Sequence, residues 1–428
     1  MDDNSIIFGT DGIRGRAGEY PFTPRSIRRI AFGIGRAVLD KGGNTILIGR
    51  DPRESSTWIE AAIIEGLRPL EIQVWLSGMV PTSAISCAMP KLGAHLGIMI
   101  TASHNPWHDN GIKCFGEDGT KISSYFQNKI TASIEQVQEH DLLATQNPSL
   151  DTDHSPTSKR DQVLDIWESY MPPLQLEGLT ILLDAANGAS SNEAPRILEN
   201  LGATVIRRGC APNGKNINDK VGALHPPEDI GKADIAICLD GDGDRVILVD
   251  QNGTLDGDDM LFLLRQATTG PIVGTIMSNG GLDKSLDNRL LRSKVGDRYV
   301  AEMMKDAKAD IGGESSGHML FTDGMPTGDG LYSALRVFQS AGLPPWENPR
   351  FPRWPSATSN IRYKGYKKVP LEELSSLDEA KEDGHRLVVR YSGTEPKLRI
   401  LVEGERAEFW CNHIATEFQS KMTPSEQQ

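Results

Sequence analysis

The chain has 428 residues, 38% of them hydrophobic, too many for one ordinary core, and the length predicts three or four globular domains. A formal net charge of −13 argues against a general nucleic-acid or membrane-surface role, so arginines serving an anionic ligand must be gathered locally. The acidic opening Met1-Asp2-Asp3-Asn4, the lack of any apolar run near 18 residues and five scattered cysteines without a Cys-x-x-Cys pair predict a cytoplasmic chain with reduced thiols.

Residues 1–150 read as a first α/β unit. Thr23-Pro24 suits a helix cap and first turn, leading an amphipathic stretch to about Leu39. A strand at 46–48, a helix at 56–67 and a strand at 72–76 follow, and the apolar run 95–101 ends abruptly in polar residues. A helix from about Tyr125 to Leu143 closes the unit, and the polar stretch 151–158 suits a linker. In a second unit, 158–251, strands are expected at 180–184, 204–207 and 235–239, with a turn at Asn187-Gly188 and a helix at 194–201. In a third, 252–355, helices are expected from Asp259, from Leu282, over 297–308 and over 328–341, with a strand at 272–277. Residues 359–428 read as a smaller α+β unit with strands at 359–363, 386–390 and 398–402 and helices near 375–382 and 405–421. Such alternation predicts βαβ units and mixed, largely parallel sheets in the first three.

The most informative segment is Asp240-Gly-Asp-Gly-Asp-Arg245, directly after the apolar strand 235–239. Three carboxylates separated only by glycine cannot continue a buried strand, because unpaired charge is too costly to bury. Aimed at one point they repel unless a cation sits between them, and all-oxygen ligands suit a hard ion such as Mg²⁺. Arg245 beside them suits a phosphate. An acidic turn at a strand end is the plain alternative, while an EF-hand fails because Arg245 and Gln251 stand where glycine and glutamate are required.

Three further loops follow strands, where open α/β sheets place their ligands. In Thr101-Ala-Ser-His-Asn-Pro106, Ser103 is either a turn or cap residue or a serine to be phosphorylated. No Gly-x-Ser-x-Gly elbow is present and His104, its immediate neighbour, is badly placed as a base, so a hydrolase triad is poorly supported. Asp109-Asn-Gly-Ile-Lys113 is expected to be a tight turn that brings an ammonium close, with a solvated Lys113 as the alternative. In Gly312-Gly-Glu-Ser-Ser-Gly-His318 an extended loop would turn Glu314, Ser316 and His318 to one side, suited to sugar hydroxyls. In Arg390-Tyr-Ser-Gly-Thr-Glu-Pro396, Ser392, Gly393 and Thr394 can form an anion-binding nest flanked by Arg390 and Arg399.

With Phe8-Gly-Thr-Asp-Gly-Ile-Arg-Gly15 and Val295-Gly-Asp-Arg-Tyr-Val300, these loops occur in the order of the α-D-phosphohexomutase family and span nearly the whole chain. The chain resembles that family, most closely its bacterial phosphoglucosamine mutases. The resemblance implies three related α/β domains plus a smaller C-terminal α+β domain around a central cleft. By position, Ser103 would be the phosphoserine, and with Asp240, Asp242 and Asp244 would hold Mg²⁺. Glu314 and Ser316 would grip the sugar, and Arg390, Ser392, Gly393, Thr394 and Arg399 its resident phosphate. Arg14 and Arg245 would add positive charge, and Lys113 and His318 are both candidates for the general acid/base. The implied reaction converts glucosamine 6-phosphate to glucosamine 1-phosphate through a 1,6-bisphosphate, with hexosamine or hexose 1,6-bisphosphate as activator. The implied partner is a small sugar phosphate rather than nucleic acid or membrane, and a homodimer is left open. Two departures stand out. Ser315 takes the place of the Asn or Gln common in this branch and of the Met common in mannose/glucose enzymes, and the stretch between about Ala341 and Ile361 is compressed at the expected third-to-fourth-domain hinge. A phosphomannomutase/phosphoglucomutase is the alternative within the class. Outside it, Asp242-Gly-Asp-Arg-Val246 also fits an Asp-x-Asp-x-Val phosphatase motif, with Asp242 as nucleophile and Ser103 incidental, and a catalytically dead sensor is a third reading.

Overall fold

Thr23 lies in extended backbone and its hydroxyl accepts from the Ser26 N–H, so the helix Pro24–Asp40 starts where a capping threonine precedes a proline. In this computed structural model the described residues are 12–143, 155–392 and 396–424. The first sheet contains β1 (Ile13–Arg16), β2 (Thr45–Arg50), β3 (Gln73–Met79), β4 (Leu96–Ile100), β5 (Asp109–Phe115) and β6 (Thr157–Ser158) in the order β1-β5-β4-β2-β3-β6. Its central strands are buried on both faces: Ile46 and Ile48 pack into one core and Leu47 into another, as two-residue side-chain alternation requires. The second core continues without a break into the next two units.

The second sheet contains β7 (Thr180–Asp184), β8 (Thr204–Arg208), β9 (Ile235–Leu239), β10 (Val246–Asp250) and β11 (Gly253–Leu255), ordered β11-β10-β9-β7-β8. The third contains β12 (Ile272–Thr275), β13 (Leu290–Ser293), β14 (Ile311–Gly313) and β15 (Met319–Phe321), ordered β13-β12-β14-β15. In each of these three sheets the inner strands run parallel and an antiparallel hairpin strand is added at one side. The fourth unit differs: β16 (Ser356–Arg362), β17 (Arg386–Tyr391) and β18 (Lys397–Glu403) form an antiparallel sheet, ordered β16-β18-β17, with a core of its own.

Several local expectations change. Asp109–Lys113 is strand rather than tight turn, because its residues pair with β1 on one side and β4 on the other. The expected helix 125–143 breaks into Ser124–Gln136 and Glu139–Leu143, with Val137 in extended backbone between them. Thr157 and Ser158, expected as linker, add an edge strand to the first sheet, and residues 151–154 lie outside the described residues. The 272–277 strand ends at Thr275, where the Ser278 hydroxyl accepts from the Thr275 N–H.

The stretch 342–355 is fastened rather than loose. Arg350 grips Asp250 with two bonds of 2.8 and 3.0 Å, and Arg353 reaches Asp256 and Asp259 at 2.5 and 2.7 Å. Buried Glu403 of the fourth unit accepts from the Gly280 N–H at 3.0 Å and from Arg386 at 2.5 Å. Near this seam the Asp258 carboxyl is pushed up to about 7, first by burial and then by Asp256. The folded chain thus holds a proton there that the unfolded chain has lost, and stability falls as pH rises between about 4 and 7. Asp258→Asn is expected to flatten that fall, retaining a few degrees of Tm at pH 7.5 relative to pH 5 in thermal melts of both proteins.

Candidate active site

β9 ends at Leu239, and the next six residues turn back into β10 as a short acidic loop. Gly243 adopts φ +75°, a left-handed conformation, and a Cβ on Gly241 would come within 2.5 Å of the Ser103 carbonyl oxygen. Glycine therefore lets the loop turn and lie directly on the serine loop. Asp240, Asp242 and Asp244 are buried, with one carboxylate oxygen from each within 4.8 Å of the others. One oxygen each of Asp242 and Asp244, Oδ1 in both cases, has no hydrogen-bond partner. Hard-oxygen donors, buried and orphaned, fit a divalent cation.

The loop is gripped from the neighbouring units. Thr82 N–H donates to the Asp242 carbonyl at 3.0 Å and its hydroxyl to Asp242 Oδ2 at 2.5 Å. Gly330 N–H donates to the Gly243 carbonyl at 2.8 Å. Lys113 is 2% exposed, and its ammonium lies 2.8 Å from both Asp242 Oδ2 and Asp244 Oδ2, so the solvated alternative for this lysine is excluded. β5 makes this placement: the register Lys113↔Met99 points the side chain from a central strand into the acidic loop.

Ser103 is 1% exposed and its hydroxyl donates to Asp240 Oδ2 at 2.7 Å. Its backbone has φ +53°, a left-handed conformation that costs a residue with a Cβ about 1–2 kcal/mol. A simple helix cap would have extended backbone instead. His104 Nδ1 lies 3.3 Å from Ser103 Oγ, so this neighbour is within reach after all. Its imidazole is pushed down to about 4, by burial first and then by Arg245 and Arg14, and is neutral at physiological pH. Arg14 sits on β1 and Arg245 at the loop end, 3.8 Å from Asp244, both close enough to act on the same histidine.

Burial, then Asp244 and Asp242, push the Asp240 carboxyl up to about 8. Burial also opposes ionisation of Asp244, but Lys113, His318 and Arg245 outweigh it and hold that carboxyl well below the usual range. A cluster whose members are driven apart in this way is a common mark of a functional site.

Gly312–His318 is a tight hairpin turn rather than an extended loop. Glu314 N–H donates to the His318 carbonyl and Gly317 N–H to the Glu314 carbonyl, so the three side chains do not share one side of a strand. Ser316 is exposed, and Glu314 Oε1 accepts from the Gly296 N–H at 2.8 Å. His318 is buried, 3.8 Å from Asp244 and 3.5 Å from Asp297, and Asp297 in turn meets Lys121 at 2.5 Å. Burial lowers the His318 pKa, but the two carboxylates prevail and raise it.

Arg390 and Arg399 stand on a different sheet from Ser103 and the aspartates, directly opposite each other on β17 and β18. Burial and then Arg399 depress the Arg390 pKa. Like charges across a ladder are destabilising by some tenths of a kcal/mol, which an anion bound between them would reverse. Ser392 N–H is tied to the Lys397 carbonyl at 2.8 Å, while Gly393, Thr394 and the Phe8–Asp11 part of the first motif lie outside the described residues.

Two residues beside Ser103 escape sequence reasoning. Arg53 and Asn218 both donate to the Ser103 carbonyl, at 2.8 and 2.9 Å. Arg53 leaves a faint signal, Asp51-Pro-Arg53 after a strand, and Asn218 leaves none.

Four family models match the chain in order: phosphoglucomutase/phosphomannomutase alpha/beta/alpha domain I over residues 5–141, domain II over 163–253, domain III over 256–342 and the C-terminal domain over 370–418. A phosphoglucosamine mutase of Brucella anthropi is 40% identical, covering 93% of this chain and 94% of its own length. That of Chelativorans sp. strain BNC1 is 39% identical over 94% of each. Among solved structures, a phosphoglucomutase/phosphomannomutase family protein of Burkholderia thailandensis superposes with a TM-score of 0.74 at 21% identity, over 99% of this chain and 100% of that one. An N-acetylphosphoglucosamine mutase of Aspergillus fumigatus, solved with GlcNAc-6P and magnesium, gives 0.65 at 14% identity, over 97% and 96%. Among the described residues no helix is long and apolar enough to cross a membrane. A buried serine on a three-aspartate loop, a lysine between those aspartates and an arginine pair on a fourth domain thus occur in a chain that belongs to the phosphoglucomutase/phosphomannomutase family, among its phosphoglucosamine mutases.

Proposed function

We propose that this chain interconverts glucosamine 6-phosphate and glucosamine 1-phosphate in the cytoplasm, through phosphorylated Ser103 and a 1,6-bisphosphate, for UDP-N-acetylglucosamine synthesis. The observation that carries it is Ser103 Oγ seated 2.7 Å from Asp240, at the edge of a buried three-carboxylate cluster. The relatives at 39–40% identity support the glucosamine preference. Asp240, Asp242 and Asp244, together with a phosphoserine oxygen, would hold Mg²⁺, which when bound neutralises charge on the phosphoryl oxygens.

The protein's own residues supply the rest. Ser103 carries the phosphoryl group to the free hydroxyl of the sugar phosphate and later takes back the other one. Arg14 and Arg245 add positive charge on the transferring group's side, complementing the transition state. Glu314 and Ser316 orient the sugar by its hydroxyls. Lys113 and His318, each held against Asp244, are the candidates to take and return the hydroxyl proton. Arg390, Ser392, Gly393, Thr394 and Arg399 grip the phosphate that is not reacting. Because the bisphosphate must turn end for end between the two transfers, that grip has to accept either phosphate. A small domain with its own core suits a grip that releases and re-forms. A hexosamine or hexose 1,6-bisphosphate would restore a serine that has lost its phosphoryl group.

The test is turnover of glucosamine, glucose and mannose phosphates with Mg²⁺ and a trace of hexose 1,6-bisphosphate. A kcat/KM at least about tenfold higher for glucosamine phosphate is the expected result, a difference of roughly 1.4 kcal/mol in transition-state binding. Preference for mannose or glucose would keep the chemistry and overturn the pathway.

A further inference from the structure

The Ser103 loop is held from behind by a side chain that never reaches the cleft. Arg53 is fully buried. Its guanidinium donates to four carbonyls of one loop: Ser103 at 2.8 Å, Asn105 at 2.9 Å, Asp109 at 3.0 Å, and Pro106. Its Nε is bound to Asp51 Oδ2 at 2.8 Å, so the charge is neutralised on the side away from the loop. Asp51 extends the same support: it accepts from the Thr101 hydroxyl at 2.7 Å, and that oxygen accepts from the Ser103 N–H at 2.8 Å. The backbone on both sides of Ser103 is thus tied to one Asp51–Arg53 pair.

A second tie crosses from the next unit. Asn218 Nδ2 donates to the Ser103 carbonyl at 2.9 Å and to the Asn105 carbonyl at 3.1 Å. Two carbonyl acceptors require the amide nitrogen on this side. Asn218 itself has φ +58° and its N–H is anchored to the Ala186 carbonyl at 2.9 Å. The metal loop passes through the same point, with a Cβ on Gly241 coming within 2.7 Å of Asn218 Nδ2.

We propose that Arg53 and Asn218 are positioning residues for the phosphoryl transfers: together they hold Ser103 in its left-handed backbone conformation, and so aim Oγ at Asp240. The inference rests on the reading of Ser103 as the residue that carries the phosphoryl group. A left-handed serine relaxes toward ordinary backbone when its carbonyl loses its donors, and Oγ then swings away from the aspartates. Only a planar fork serves four carbonyls and a carboxylate at once, so lysine cannot replace arginine here. Both side chains are buried, so sugar binding is expected to be spared while transfer is slowed.

The experiment uses the full-length protein and Asn218→Ala, Asn218→Asp, Arg53→Lys and Arg53→Met, each checked for folding by thermal melt. Intact-mass spectrometry follows the rate at which hexose 1,6-bisphosphate phosphorylates Ser103, and steady-state kinetics give kcat and KM. The Asn218 variants are expected to lose 10- to 100-fold in both labelling rate and kcat, with KM within about twofold. Among the Arg53 variants that fold, lysine is expected to be no better than about twofold over methionine. Folded Asn218 variants that label and turn over at the wild-type rate would overturn the proposal, as would a loss confined to KM. A wild-type protein that neither labels at Ser103 nor isomerises any sugar phosphate would instead overturn the reading of the site itself.

Discussion

Ser103→Ala is expected to abolish mutase turnover, by about four orders of magnitude or more, while leaving the fold intact. The substitution removes the atom proposed to carry the phosphoryl group, and among the described residues the Thr101 hydroxyl is committed to Asp51 and the Thr82 hydroxyl to Asp242. The structural cost is small. Two contacts of Oγ, to Asp240 Oδ2 and to His104 Nδ1, are lost, each worth about 1 kcal/mol. The backbone ties at Ser103 N–H and its carbonyl are unaffected, because they do not involve the side chain. Divalent-metal binding, followed calorimetrically with Mg²⁺ or Mn²⁺, should survive because the three aspartates remain. Release of inorganic phosphate that persists in the variant would sink the mutase mechanism in favour of Asp242 as a phosphatase nucleophile. In that reading Asp242 Oδ1 would be the attacking atom, since Oδ2 is already held by the Thr82 hydroxyl and the Lys113 ammonium.

The second large effect concerns stability. Asp329→Ala is expected to lower Tm by on the order of 10 °C, measured by differential scanning calorimetry at pH 7. Asp329 is 1% exposed and caps the helix Gly330–Ala341, accepting from the Tyr332 N–H at 2.6 Å. Its other oxygen accepts from the Trp167 indole at 2.7 Å and from the Ser83 hydroxyl. Three segments far apart in sequence therefore meet on one carboxylate, and burial holds its pKa above the usual range. Alanine strands the indole N–H and the hydroxyl, each costing about 1–3 kcal/mol, and removes a cap worth about 1 kcal/mol. Asp329→Asn keeps the shape but must turn its NH₂ toward either Tyr332 N–H or the indole, so roughly half the loss is expected. A Tm within 2 °C of wild type for the alanine variant would show that these contacts are not what joins the units. The junction also lies behind the acidic loop, because Thr82 and Gly330, which grip that loop, are neighbours of Ser83 and Asp329.

Some of this architecture is legible without coordinates. The acidic loop announces itself because carboxylates alternating with glycine after an apolar strand have few physical explanations. The helix at Pro24 and the strand feeding Asp240 are equally plain, since cap chemistry and unbroken apolar runs act locally. Lys113 shows the boundary. Its residue type suits an ammonium near phosphate, but Asp109-Asn-Gly-Ile reads as a turn until β1 and β4 pair on either side and make it a strand. Residues 312–318 err in the opposite direction: an alternating pattern suggests an extended segment, and Gly317 at φ +88° closes it into a hairpin turn.

What the sequence by itself determined was a set of candidate reactive groups and the loops that bear them: Ser103, the three aspartates, Glu314 and Ser316, and the arginines of the fourth domain. Those follow from local chemistry, because a charge cluster or a serine after a strand end constrains its own surroundings. Tertiary structure alone decided how they are held. Arg53 becomes a brace only because four carbonyls of one loop turn inward around it, and Asn218 only because a second sheet carries it to the serine. Asp297 likewise gains meaning from His318 within its own unit and Lys121 of the first, and Asp329 from Ser83 and Trp167 of two other units. These hydrogen bonds and ion pairs depend on distances of about 3 Å between atoms tens to hundreds of residues apart, and no local pattern in a chain encodes such distances.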